Sequence, residues 1–250
     1  MRVAVAGGTG VVGRKVVERL EQLGHDVVVL ARSRGTDLTS GRGLDEALHG
    51  VEAVIDVSNS GSTRRKTAVG FFTTVSKNLL EAEAKNSVRH HVALSIVGID
   101  GITFGYHHGK VAQEAVVTAG PVPWSILRVT QFHEFPAQIL AQTAVGPISF
   151  VPQMLSQPVA AGEVADALVE LALGEPVGRA PDLGGPGQEQ IVDMARRIAR
   201  SSDKKRVVVP IRFPGSVGRA MRDGSLLPKE GSRRGTQTFT EWLERTGAKV

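Results

Sequence analysis

Val3-Ala4-Val5-Ala6-Gly7-Gly8-Thr9-Gly10-Val11-Val12-Gly13 is the stretch whose reading decides the fold. Four small apolar residues predict a buried strand, and glycines at 7, 10 and 13 turn the chain into a helix beginning near Val11. Strand, glycine turn and helix in that order let backbone N–H groups and the positive helix N-terminus face an anion. The last glycine lets helix and strand approach closely. The spacing is GxxGxxG, not GxGxxG.

Outward from this turn, Val12, Val16, Val17, Leu20 and Leu23 recur at helical spacing, and Gly24 stops the helix. Strands are predicted at 27–30, 53–57, 92–96 and 124–127, with only a stub at 36–38 where a third strand usually lies. Helices are predicted at 43–49, at about 65–86 and at 106–119. In the long one, Val69, Phe72, Val75, Leu79 and Leu80 face inward. Strands alternating with helices imply an α/β fold, a Rossmann-type doubly wound parallel sheet. In such a unit the bound anion is a dinucleotide pyrophosphate.

Beyond Arg128 the rhythm changes. Helical patterns at 133–144, 162–173 and 188–200 alternate with short strands at 148–151 and 206–209, punctuated by Gly and Pro. A last helix, about 236–245, places Phe239, Trp242 and Leu243 on one face. The expected division is an NAD(P)-binding domain over 1–128, with a returning segment near 157–173, and a smaller substrate-binding lobe over 129–250. The loops of that lobe are expected to cap the C-terminal edge of the sheet, where ligands of such folds bind.

The chain's 250 residues, 41% hydrophobic and 22% charged, fit an ordinary globular protein with a sizeable core. Cysteine is absent, which excludes disulfides, zinc–thiolate sites and thiol nucleophiles. No apolar run approaches membrane-spanning length and no signal segment precedes the first strand, so a cytoplasmic protein is expected. The net charge of +5 is uneven: residues 196–250 hold 14 Lys/Arg against 5 Asp/Glu. That end suits either a solvated basic surface or an anionic partner. With aromatics at 4%, a stacking surface for nucleic acid is disfavoured, while a homo-oligomer stays open.

At the end of the second strand, NAD enzymes place an acidic residue on the ribose 2′-hydroxyl. Here that position is Ala31, followed by Arg32, Ser33 and Arg34. Two guanidinium groups and a hydroxyl suit a 2′-phosphate, which points to NADPH/NADP+; the alternative is an exposed loop. The second constellation is Tyr106-His107-His108-Gly109-Lys110, with Ser95 on the preceding strand. Tyr106 and Lys110, four apart, share a helical face. A nearby ammonium lowers a phenol's pKa, and a tuned tyrosine can protonate a carbonyl oxygen as hydride arrives. Ser95 could hydrogen-bond the same oxygen, and Lys110 could also hold the nicotinamide ribose. Tyr106 is the chain's single tyrosine.

These motifs, with Ser95-Ile96-Val97-Gly98, the run from Pro123 to Phe132, Pro158-Val159-Ala160 and Gly162-Glu163-Val164-Ala165, resemble the NmrA-like atypical short-chain dehydrogenase/reductases. The resemblance implies that Gly7, Thr9, Gly10, Val11, Val12 and Gly13 hold the pyrophosphate. It implies further that Asp37 and Leu38 meet the adenine, that Ser58 and Asn59 line the cofactor, and that Ser95 and Lys110 border the nicotinamide. One departure stands out: catalytic members carry a helix asparagine in a proton relay where this chain has Phe72. Such proteins include reductases and also dinucleotide-binding redox sensors that engage a protein or nucleic-acid partner.

The remaining candidates are weaker. His90-His91 and His107-His108 are not spaced as metal ligands on one helical face, so no metal is expected. Pro136 and Ala137 break an HExxH-like start at His133-Glu134; His133 reads either as a helix-start residue or, with Gln131 and Phe132, as lining the substrate pocket. No GxSxG elbow or Gly-Lys-Ser/Thr loop occurs. The expected activity is NADPH-dependent reduction of a small carbonyl or related unsaturated substrate, with Tyr106 as acid. Phe132, Phe135, Ile139, Met154, Leu155, Phe213 and Met221 lead to a hydrophobic or aromatic one.

Overall fold

The structure is a computed structural model describing residues 1–101, 104–202 and 206–247. The chain runs β1 (Arg2–Ala6), α1 (Val11–Gln22), β2 (Asp26–Leu30), α2 (Leu44–Ala47), β3 (Ala53–Asp56), α3 (Arg65–Lys85), β4 (His90–Ile96), α4 (Gly105–Ala119) and β5 (Trp124–Val129). There follow α5 (Phe135–Gln142), β6 (Ala144–Val145), β7 (Ile148–Pro152), β8 (Leu155–Ser156), α6 (Ala161–Leu173), β9 (Gly178–Arg179) and β10 (Leu183–Gly184). The last elements are β11 (Glu189–Gln190), α7 (Ile191–Ser201), β12 (Val207–Ile211), α8 (Gly215–Arg222), β13 (Arg233–Arg234) and α9 (Phe239–Thr246). No helix of the described residues is long and apolar enough to cross a membrane.

Two compact units result. Of the described residues, the first holds 1–99, 104–128 and 162–181, and the second 100–101, 129–161 and 182–247. The first unit is the Rossmann-type sheet, in the order β9-β5-β4-β3-β1-β2. Its strands run parallel where β1 meets β2 and β3, where β3 meets β4, and where β5 meets β9. Alternate residues of each strand face opposite sides. Ala4, Ala6 and Val54 pack with Val75, Leu79 and Ala82 of α3 and Leu44 of α2. On α1, Val12, Val16 and Leu20 are buried, and Arg19 pairs with Asp166 of α6 at 2.9 Å. Ile126, Ala93, Val117 and Val122 form a further cluster beneath α4.

The expected third strand is not a strand at all. Residues 36–42 form a tight turn closed by one antiparallel bridge between Asp37 and Arg42, which leaves β2 at the end of the sheet. Gly35, Gly41 and Gly43, with φ of 88°, 76° and 76°, supply the left-handed backbone that so tight a path needs.

The second unit is built on α7, whose Ile191, Met194, Ala195 and Ile198 are buried. β7 pairs parallel with β12 and antiparallel with β6. Thr238 and Glu241 form a reciprocal capping box that starts α9, and Phe239 and Trp242 of that helix are buried. Helix α8 had no counterpart in the sequence reading, because Gly215 and Gly218 interrupt any apolar period there.

The glycine turn is too tight for side chains at two of its positions, Gly7 and Gly13. A Cβ on Gly13 would collide with the Gly7 carbonyl and come within 2.7 Å of the Gly8 Cα. Gly13→Ala is therefore expected to destabilise the protein by about 3 kcal/mol, because the clash is with backbone that cannot rotate away. Gly10→Ala, whose added carbon meets one carbonyl at 3.2 Å, should cost about 1 kcal/mol or less. Denaturant midpoints of the two variants check this, and equal losses would contradict it.

Candidate functional site

A cleft of about 350 Å3 opens at the C-terminal ends of β1, β2 and β3. Gly7 and Thr9 of the glycine turn line it, together with Leu30, Ala31, Arg32 and Ser33 after β2. Thr36, Asp37, Leu38 and Thr39 of the tight turn, Ser58 and Asn59 after β3, and Phe71 of α3 complete the wall. Gly7 sits so close to the 57–58 backbone that a Cβ would lie 2.7 Å from the Val57 carbonyl oxygen. Gly10 N–H is committed to the Gly7 carbonyl at 2.9 Å. Val11, Val12 and Gly13 form the first turn of α1, where backbone N–H groups have no intrahelical acceptor. Their side chains contribute little to the cleft, since Val12 is a core residue.

Arg32–Arg34 form a single 3-10 turn with no buried residue. Arg32 and Ser33 line the cleft, whereas Arg34 is not among its walls. Asp37 accepts from the amide and hydroxyl of Thr39 at 2.9 and 2.6 Å. Those bonds, with Arg32 nearby, hold its carboxyl below the usual range.

Tyr106, Lys110 and Ser95, expected to form a catalytic group, are arranged differently from that expectation. Helix α4 packs closely on α3 because Gly109 lies against Ala68 and Phe72; a Cβ there would be 2.7 Å from the Phe72 ring. Tyr106 lies edge-on to Phe72, with ring centroids 5.6 Å apart, and its hydroxyl donates to Asn59 Oδ1 at 3.0 Å. Asn59 lines the cleft, and Tyr106 stands behind it rather than among the lining residues. Lys110 does not tune it. Its ammonium donates to the Leu94 carbonyl and to Gln113 Oε1, both at 2.8 Å, and lies 4.5 Å over the Phe72 ring. Gln113 in turn donates to Asp56 Oδ2 at 2.7 Å, and Asp56 Oδ1 accepts the Ser58 N–H.

Burial lowers the Lys110 amine to about 8, against the opposing pull of Asp56 and Glu114. Burial, reinforced by the Asp56 charge, pushes the Tyr106 phenol above its ordinary value. The expected downward shift of the phenol is thus reversed. Lys110, expected at the nicotinamide ribose, is enclosed beneath the site.

Ser95 is likewise buried, and its hydroxyl has no hydrogen-bond partner among the described residues. Burial works to raise Glu114, but the hydrogen bonds and charge of Arg128, with a hydrogen bond from Arg179, hold it below its usual value. Arg128 grips it bidentately at 2.8 and 2.7 Å.

The residues expected to meet substrate lie in the second unit. Gln131 Oε1 accepts from Ser156 at 2.6 Å, and Phe132 bridges to Val159. His133 is a core residue, not a pocket wall: it is fully buried, packed on Phe239 and Trp242, with Nε2 3.0 Å from the Gln237 carbonyl oxygen. The sequence reading passed over Thr36, Thr39 and Phe71. Thr36 and Thr39 flank the expected adenine contacts, a positional signal; Phe71 lies beside Phe72, whose ring is buried in the core while Phe71 lines the cleft.

Residues 3–101 match the model of the NAD dependent epimerase/dehydratase family. A (4-alkanoyl-5-oxo-2,5-dihydrofuran-3-yl)methyl phosphate reductase from Streptomyces griseus is 26% identical over 272 aligned positions, spanning 92% of this chain and 88% of that protein. The photosystem II assembly factor Ycf39 of Synechocystis is 32% identical over 111 residues, 39% of this chain; the chain spans about a third of that relative's length (34%). Among solved structures, the NAD complex of Thermus thermophilus UDP-glucose 4-epimerase superposes with a TM-score of 0.67 at 19% identity, covering 100% of this chain and 94% of that one. An NADPH-dependent quinone oxidoreductase from Escherichia coli gives 0.66 at 15% identity, covering 98% and 99%. At such identities these likenesses establish the fold.

Because Tyr106 is the single tyrosine, its titration can be followed directly by phenolate absorbance. The midpoint is expected above the reference value of about 10, the phenol staying protonated where free tyrosine ionises. A midpoint at or below that of free tyrosine would show that Lys110 reaches the phenol after all.

Proposed function

We propose that this protein is an NADPH-dependent reductase acting on a small hydrophobic carbonyl or related unsaturated substrate. The observation that carries the reading is a single cleft joining the glycine turn, the Arg32–Ser33 pair and Asn59, to which the Tyr106 hydroxyl is bonded. The residues fit a phosphorylated dinucleotide. Gly7 and Gly13 leave the backbone bare where a diphosphate has to approach, and the first-turn amides of Val11, Val12 and Gly13 supply donors. Arg32 and Ser33 offer a cation and a hydroxyl for a 2′-phosphate, and Leu38 and Phe71 offer apolar walls for a base. A bound reduced nicotinamide supplies the hydride.

Tyr106 supplies the polar contact at the reacting end. Held neutral by burial, its phenol is a hydrogen-bond donor to an oxygen that gains charge as hydride arrives. A raised pKa makes full proton transfer harder, which favours a conjugated substrate: hydride adds to carbon while the oxygen needs only a donor. The Streptomyces relative, a reductase named for a dihydrofuranone phosphate, supports this substrate class. Lys110, Gln113 and Asp56 hold α4, and with it Tyr106, against the ends of β3 and β4.

A second reading, a dinucleotide sensor without turnover, is favoured by one feature. Phe72 is fully buried where a relay asparagine is expected, and Lys110 is engaged elsewhere. Purified protein titrated with NADPH and NADH, then assayed against a panel of carbonyls, quinones and conjugated enones, separates the two. Arg32→Ala is expected to weaken NADPH by roughly tenfold or more, since a charge-assisted bond contributes about 1.5–3 kcal/mol, and to leave NADH unchanged. Tyr106→Phe should lower kcat by about 100-fold with NADPH affinity intact. Binding without oxidation of NADPH by either protein would favour the sensor, and no affinity for either nucleotide would end both readings.

A further inference from the structure

The turn over residues 36–42 carries four walls of the cleft, Thr36, Asp37, Leu38 and Thr39, yet it has no strand ladder to hold it. Most of its bonds are internal: Asp37 N–H to the Arg42 carbonyl, Gly41 N–H to the Asp37 carbonyl, and the Thr39 donors on Asp37. Such bonds fix the shape of the turn but not its position. The start of the turn is tied to the end of β2, where the Thr36 N–H and hydroxyl both donate to the Ala31 carbonyl; the Leu38–Thr39 stretch is positioned by Asn78 on α3. Its Nδ2 donates to two successive carbonyls, Leu38 at 2.9 Å and Thr39 at 3.0 Å, from 40 and 39 residues away. Gly41, at φ +76°, faces the same side chain.

Asn78 is seven residues beyond Phe71, two turns along the same face of α3. Phe71 forms one apolar wall of the cleft and Leu38 another, and both pack against the same core cluster. The amide therefore ties the turn bearing Leu38 to the helix bearing Phe71. From this geometry we infer that Asn78 is a positioning residue that sets the width of the slot for the purine ring, without touching the ligand. The inference rests on the reading of the cleft as an NADPH site.

An amide is the group this job requires. One nitrogen with two diverging N–H bonds matches two adjacent carbonyls. Aspartate would set carboxylate oxygens against carbonyl oxygens, and alanine would release the turn. The Thr39 bond is exposed, so water replaces it and the fold survives.

The test compares wild type, Asn78→Ala, Asn78→Asp and Asn78→Gln by calorimetry. The probes are NADPH, 2′,5′-ADP and the bulkier etheno-adenine derivative of 2′,5′-ADP. Wild type is expected to prefer the natural base. Alanine and aspartate at this position should weaken NADPH and 2′,5′-ADP by about tenfold, two lost bonds each contributing about 0.5–1.5 kcal/mol. They should weaken the etheno derivative much less, so that base selectivity collapses, and glutamine should restore part of it. A merely structural role would lower all three affinities alike, and that result overturns the inference. So does NADPH binding by folded alanine and aspartate variants that equals wild type. Failure of wild type itself to bind NADPH overturns the cofactor reading and this inference together.

Discussion

Where β1 ends, the backbone passes through a space too small for a side chain. Gly7 lies against the Val57 carbonyl and the Ser58 amide, and Gly13 lies against Gly7 and Gly8. These approaches fix three things together. They start α1 directly at the end of the strand, they leave its first-turn amides bare, and they hold the loop carrying Ser58 and Asn59 at the rim of the cleft. On the proposed reading, a cradle for a diphosphate is a consequence of this crowding, because it leaves the first-turn backbone donors of α1 uncovered.

A second constraint is electrostatic and lies deeper. Asp56, Gln113 and Lys110 form a buried chain of hydrogen bonds ending on the Leu94 carbonyl, and Glu114 closes on Arg128 and Arg179 beside it. Charges so enclosed are tolerated because each has a close partner. They tie one face of α4 to the strands beneath. The opposite consequence falls on the neighbouring phenol. An Asp56 charge and an apolar Phe72 ring make an environment that resists a phenolate.

The fold was legible because its signals are local: the glycine spacing, the alternation of apolar strands with helical periods, and the stops at Gly24 and Gly120. The cleft's cationic side was legible for the same reason, since Arg32 and Ser33 immediately follow β2. What could not be read depends on distant partners. The Tyr106/Lys110 spacing places two side chains on one helical face but says nothing of what that face meets. The answer lies with Leu94, Gln113 and, 57 residues from Gln113, Asp56. His133 invited a binding role because nothing near it in sequence explains it; its covering rings, Phe239 and Trp242, come more than 100 residues later. Asn78 drew no attention as a site residue, because an asparagine in mid-helix shows its purpose only once the 36–42 turn is seen above it.

The chemistry follows from these partners more than from the residue types. A tyrosine and a lysine four apart suggest an acid tuned by a cation, but the tuning needs the ammonium to face the phenol. Here the ammonium's hydrogen bonds go to a main-chain carbonyl and an amide, while the phenol donates a hydrogen bond to Asn59 on the cleft wall. On the proposed reading, a neutral donor bonded to the cleft wall stabilises negative charge on a substrate oxygen without having to lose its proton. It therefore suits hydride addition to a conjugated carbon better than reduction of an isolated ketone, where the oxygen has to be protonated as the bond forms. The same pair of residues, arranged so that Lys110 met Tyr106, would favour the opposite choice; here Leu94 and Gln113 hold the ammonium instead.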